Sequence, residues 1–266
     1  IRDRLTAALV TADTLVVAET ATANITDDAA TDIAATVLSA IGAKTSGAIT
    51  VTNAIDISGT ASELTAALVT DDTLVVASTA TVTISDNPSI SALNAIAAKT
   101  DGVVTATLAA DSLSNLGALT TAGTDLITIT VNDNAEADVT ASDLSTLGGK
   151  TAGVVTVSNA VDISGTASEL TAALVTADTL VVAGTATANI TDEATTDIDA
   201  TVLSAIGAKT SGAITVTNAI DIAGTADEVT AALVTAETKV VATTATVTIS
   251  DNPSISALNA IAAKTD

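Results

Sequence analysis

The side chains of this chain that could do chemistry are almost all oxygen donors. Thirty-one residues are acidic and eight basic, a net charge of −23 over 266 residues, and His and Cys are absent. The acids gather where the pattern marks strand ends and helix starts: Asp27 and Asp28, Asp86, Asp192 and Glu193, and Asp251. Such arrays suit a hard cation, and calcium takes about six to eight oxygen ligands. The densest run spans residues 132–138, where Asn132, Asn134, Glu136 and Asp138 share one face if the stretch is a strand. These four are the candidate calcium ligands. Neither an EF-hand loop nor the Gly-Gly-x-Gly-x-Asp repeat of calcium-binding β-rolls occurs, so a solvated acidic face is expected and no cofactor is assigned.

Much other chemistry is excluded outright. Without His or Cys there is no serine triad, thiol nucleophile, zinc cage or thiolate-held cluster. Phe, Tyr and Trp are also absent, which removes stacking platforms for bases and cages for quaternary amines. Gly148-Gly149-Lys150-Thr151 has the wording of a phosphate loop, but that motif needs Gly where Leu144 stands, and it opens a helix rather than closing one. Lys44, Lys99, Lys150, Lys209 and Lys264 are each followed by Thr and read as cations at helix C-termini. The negative charge repels phosphate backbones and anionic lipid, so nucleic acid is not an expected partner. No apolar run reaches the roughly 18–20 residues that would insert in a bilayer. Carboxylates without a cleft-forming insertion do not make an active site, and the chain reads as non-catalytic.

What must position these groups is a repeat. Residues 5–101 and 170–266 align at a constant offset of 165, with 11 differences in 97 positions. Leu-Thr-Ala-Ala-Leu-Val at Leu5, Leu64 and Leu170, returning from Val229 with Val first, marks an offset of 59 inside each half. Apolar helix anchors stand at Leu5, Leu38, Leu64, Leu93, Leu113, Leu144, Leu170, Leu203, Val229 and Leu258, 20 to 33 residues apart. Spacings of that order mark stacked repeats. Residues 102–169 are variant coils joining the two halves.

Each repeat reads as a helix followed by strands. Leu170, Ala173 and Leu174 lie on one helical face. Thr60 with Glu63, Thr166 with Glu169, and Thr225 with Glu228 form capping boxes. Asn87-Pro88 and Asn252-Pro253 read as an N-cap before Pro at the first helical position. Val155 and Val157, then Val161 and Ile163, alternate with polar residues, giving two strands bent at Asn159. The expected fold is an α/β solenoid, a single continuous domain over 1–266. It has about ten stacked coils, each a short helix plus two short parallel-stacking strands; an all-β solenoid is the alternative. At about 4.8 Å per coil the rod is roughly 45–50 Å long. Aligned second strands place Asn24, Asp56, Thr83, Asp138, Asp162, Asn189, Asp221 and Thr248 in one outward row, with Lys99 also exposed and the Val, Ile and Leu anchors buried.

This design is loosely similar to leucine-rich repeats, although their Asn/Cys consensus position is not matched. The Ala-, Thr-, Val- and Asp-rich wording resembles the tandem-repeat regions of giant bacterial cell-surface proteins, including those of marine cyanobacteria. The resemblance covers the whole chain and rests on composition. It implies an extracellular or cell-surface location and a structural segment of a surface protein or filament. The partners it implies are further repeats of the same polypeptide or end-to-end copies. An adhesin or matrix-binding module, calcium-dependent and using the outward ladder, is the alternative. The array reads as a fragment of a longer one, because Ile1 stands just where the equivalent Thr166 begins a helix.

Overall fold

The structure, a computed structural model, describes residues 1–11, 16–70, 75–176, 181–235 and 238–265. Asp266, the last residue of the second repeat half, lies outside them. The chain divides into two compact units, residues 1–109 with 118–129 and residues 110–117 with 130–266. In both, short helices alternate with parallel strands.

The first unit runs α1 (Arg2–Leu5), β1 (Ala23–Ile25), β2 (Asp32–Ala34), α2 (Ala35–Gly42), β3 (Ile49–Val51), β4 (Asp56–Gly59), α3 (Ala61–Leu64), β5 (Val75–Val76), β6 (Thr81–Ile84), α4 (Ile90–Ala97), β7 (Val104–Thr107) and most of β8 (Leu126–Val131). One parallel ladder is β1–β3–β5 and another is β2–β4–β6–β7–β8. The second unit contributes α5 (Leu113–Leu116), the end of β8, β9 (Asp138–Thr140), α6 (Ala141–Gly148), β10 (Val155–Val157), β11 (Asp162–Gly165), α7 (Ala167–Leu170), β12 (Val181–Val182), β13 (Thr187–Ile190), β14 (Asp197–Asp199), α8 (Ala200–Gly207), β15 (Ile214–Val216), β16 (Asp221–Gly224), α9 (Ala226–Val229), β17 (Val240–Val241), β18 (Thr246–Ile249) and α10 (Ile255–Ala262). Its parallel ladders are β10–β12, β9–β11–β13–β15–β17 and β14–β16–β18.

All ten anchors fall in helices, which excludes the all-β alternative. Leu38, Leu64, Leu93, Leu144, Leu170, Leu203 and Val229 are fully buried. The three capping boxes close in both directions, with the Thr oxygen accepting the N3 amide and the Glu returning to the Thr amide. The Thr-Ala-Ala-Leu-Val segments continue α1, α3, α7 and α9 as π-wound turns, Thr6–Val10, Thr65–Val69, Thr171–Val175 and Thr230–Val234. In each, the amide of the next Thr bonds five residues back, as Thr70 does to Thr65 O at 2.9 Å.

Five expectations are corrected. Helices α4 and α10 start two residues later than expected, with Ser89 and Ser254 as N-caps accepting the Ala92 and Ala257 amides. The pre-proline Asn is driven to extended backbone, but Ser89 and Ser254, just after the Pro, are extended too, and their hydroxyls take the cap role. Strand number also varies: β7 alone links α4 to α5, whereas β12, β13 and β14 all lie between α7 and α8. Strands do not simply stack on their equivalents. β13 pairs with β11 on one side and β15 on the other, so the ladder steps sideways by one strand. Finally, the outward row holds only in part. Asp138 stands beside Asp162 as expected, but Asp56, Asp162 and Asp221 stand beside Thr81, Thr187 and Thr246, two residues before the expected Thr83, Asn189 and Thr248. Asn24 sits beside Thr50, and Asn189 beside Ser164 and Thr215. A slip of two keeps every side chain on its face, so alternation alone cannot detect it. The row is also less open than expected. Lys99 is exposed, but Asp56, Asp162 and Asp221 are half-buried, and the Thr81 and Thr187 hydroxyls donate to the Asp56 and Asp162 carboxylates.

Candidate functional site

Asp27, Asp86, Asp192 and Asp251, four of the six acids expected at strand ends, cap helices of the neighbouring repeat. A helix N-terminus leaves its first amides without intrahelical partners and favours negative charge. Asp86 accepts the Ala61 amide at 2.7 Å, Asp192 the Ala167 amide at 2.7 Å, Asp251 the Ala226 amide at 2.9 Å and Asp27 the Arg2 amide at 3.0 Å. Each aspartate lies 25 residues after the amide it serves. In the variant repeat Asp133 does the same for the Leu113 amide at 2.7 Å, over 20 residues. Asp192→Ala is expected to cost about 1 kcal/mol, the usual worth of an N-cap. Urea unfolding checks it, and an unchanged midpoint would show that the bond is not formed in solution.

Bend residues tie the repeats a second time. Asn53, Asn159 and Asn218 donate to the carbonyls of Asp27, Asp133 and Asp192, each at 2.7 Å. The preceding Thr52, Ser158 and Thr217 hydroxyls donate to Ile25 O, Val131 O and Ile190 O. A third tie lies in the Lys-Thr segments. Thr45, Thr100 and Thr210 donate to Ala21 O, Ala80 O and Ala186 O and accept the amides of Gly47, Gly102 and Gly212. The expected pattern is Lys-Thr; in these three segments a Gly follows two residues after the Thr, and the Thr and Gly carry the structure. The Lys residues do follow helix ends. Lys150 also donates to Gly117 O at 2.7 Å, beyond the end of α5.

The candidate calcium face does not assemble as a strand. β8 ends at Val131 and β9 begins at Asp138, with Glu136 between them in the left-handed region at φ 64°. Asn132, Asn134, Glu136 and Asp138 are all exposed. Among the described residues, no group of three or more acidic side chains is placed to hold a metal ion. Asp138 instead borders a groove of about 430 Å³ with Leu113, Asp133, Asp143, Leu147 and Lys150. Its polar groups serve helix ends: Asp133 caps α5, Asp143 accepts the Thr140 hydroxyl at 2.8 Å, and Lys150 holds Gly117 O. The arrangement fastens α5 and α6.

Two residues outside the expected set stand out. Asp125, 3% exposed, accepts the Val104 amide at 2.8 Å and the Ala122 amide at 2.9 Å. Asn94 donates to Ala118 O and accepts the Thr120 amide, both at 2.9 Å. Both act on the variant repeat, where the lack of a second copy left no pattern to read.

Two carboxyls, the half-buried Asp111 and the exposed Asp199, sit below their ordinary range. The Asn115 amide and then the Ser112 N–H lower Asp111; the Thr201 hydroxyl and N–H lower Asp199. A lowered native value contributes stability at neutral pH that is lost as acid protonates the group. Asp199→Asn should therefore melt below the parent at pH 7, and the gap should close as pH falls through the carboxylate range. A gap that persists at pH 2 would refute the charge-based account.

No protein-family model matches the chain, nor does any curated protein or solved structure. The fold is α/β, with helices alternating with parallel-strand sheets, and no helix among the described residues is long and apolar enough to cross a membrane.

Proposed function

We propose that the chain is a non-catalytic structural segment of an extracellular surface protein or filament: a stiff, acidic α/β solenoid of about ten coils. The observation that carries this reading is where the polar chemistry goes. Asp caps, Asn and Thr bend ties and Lys-Thr-x-Gly ties are spent between neighbouring coils, and they recur at the repeat spacing. An array held this way gains length by adding coils, since each coil contacts only its neighbours. The remaining negative charge keeps such a surface soluble and resists unintended association. The proposed partners are further coils of the same kind, and the kinship is with giant bacterial surface repeats.

Small-angle scattering with a calcium titration tests this. The expected result is an elongated particle about 45–50 Å along the coil axis. Calcium and monovalent salt should stabilise it equally at matched ionic strength, because screening alone is at work. A spherical particle would overturn the rod. Saturable stabilisation by micromolar calcium would instead favour a calcium-dependent binding module.

A further inference from the structure

We infer that the groove beside α7, β14 and α8 takes an arginine side chain of a partner polypeptide. The inference goes beyond the structural role proposed above and does not depend on it. The groove, about 510 Å³, is lined by Ala167 of α7 and by Asp197, Ile198, Asp199 and Val202 of β14 and α8. Ile198 is buried, whereas Asp197 and Asp199 are exposed. No basic side chain is among its lining residues.

The equivalent place in the first repeat half holds a guanidinium. Arg2 corresponds to Ala167 at the repeat offset of 165, and the two amides are held alike, by Asp27 Oδ2 at 3.0 Å and by Asp192 Oδ2 at 2.7 Å. The Arg2 guanidinium donates to Asp32 O of β2 and to Asp3 Oδ1, both at 3.1 Å. Asp32 corresponds to Asp197, so a guanidinium fits between the two elements that border the groove.

Four substitutions at this place separate the copies. Ala167 for Arg2 removes the internal cation, and Ser168 for Asp3 removes the acid paired with it. Asp199 for Ala34 adds a carboxylate at the end of the strand. Ala223 stands for Ser58, whose hydroxyl donates to Asp32 Oδ1 at 2.8 Å, so Asp197 lacks that donor. The second copy thus presents acceptors where the first presents a cation bonded to them. Among the described residues no three acids are placed to hold a metal ion, which favours an extended cation over a bare one. A guanidinium forks five donors in a plane and is weakly hydrated, so it can serve the Asp197 carbonyl and a carboxylate together, as a compact ammonium cannot. Val202 and Ala172 offer apolar surface to its stem. The net charge of −23 attracts such a partner from a distance.

The test titrates the isotope-labelled full chain with the peptide acetyl-Gly-Arg-Gly-amide and follows the amide NMR signals. Saturable shifts at Ser168 and at Asp197 to Thr201 are expected. The Lys counterpart of the peptide and the free guanidinium ion should each bind about tenfold more weakly, the worth of a charge-assisted hydrogen bond. Ala167→Arg should abolish binding by filling the groove from within, and Asp199→Ala should weaken it about tenfold. Each variant carries the residue that the first copy accommodates at the equivalent position, and the amide spectrum reports whether it folds. Absence of saturable shifts, or undiminished binding by Ala167→Arg, overturns the inference. Equal binding of the Lys peptide overturns the guanidinium assignment, and equal binding of the free ion overturns the polypeptide partner.

Discussion

Gly212→Ala is expected to destabilise the protein by about 3 kcal/mol or more. A Cβ on Gly212 would lie 2.1 Å from the Ala186 carbonyl oxygen and 2.7 Å from its carbon. Those are backbone atoms of a neighbouring repeat, and they are held by the Thr210 hydroxyl, so no rotamer change relieves the clash. Gly102 meets Ala80 O at 2.2 Å and Gly47 meets Ala21 O at 2.3 Å, so Gly102→Ala and Gly47→Ala should behave alike. Gly184→Ala is the control, because nothing lies within 4 Å of its Cβ. Chemical denaturation of the four variants decides the matter. A Gly212→Ala midpoint close to that of Gly184→Ala would mean that the repeats do not approach each other so closely.

Asp125→Ala should cost about 2 kcal/mol. Removing the carboxylate leaves the buried Val104 amide without that acceptor, and an unsatisfied buried donor costs about 1–3 kcal/mol; the Ala122 amide is only part-buried and adds little. Asp125→Asn should cost less, because its carbonyl oxygen still accepts one of the two bonds. Hydrogen exchange gives the residue-level check: protection of the Val104 amide should fall in Asp125→Ala ahead of protection elsewhere in β7. Equal protection in both proteins would show that another group takes over.

Ten helices could be placed from the sequence because an apolar anchor, a Thr-x-x-Glu box and a following Lys-Thr are local signals, each read within a few residues. Leu170 and Leu203 are buried for the reason their spacing implies, and the Thr166–Glu169 box closes as its chemistry requires. The α/β class follows from the same local evidence. What only the tertiary structure decided is which repeat touches which residue. Alternation assigns Asp56 to an outward face but is blind to a two-residue slip, and the parallel register put Thr81 beside it rather than Thr83. The Asp192 carboxylate looks like one more solvated charge until the fold brings it 2.7 Å from an amide 25 residues earlier. Gly212 and Asp125 carry the same lesson. Their importance comes from atoms of other segments, and the sequence records only the side chain, while packing supplies the neighbour that gives it meaning.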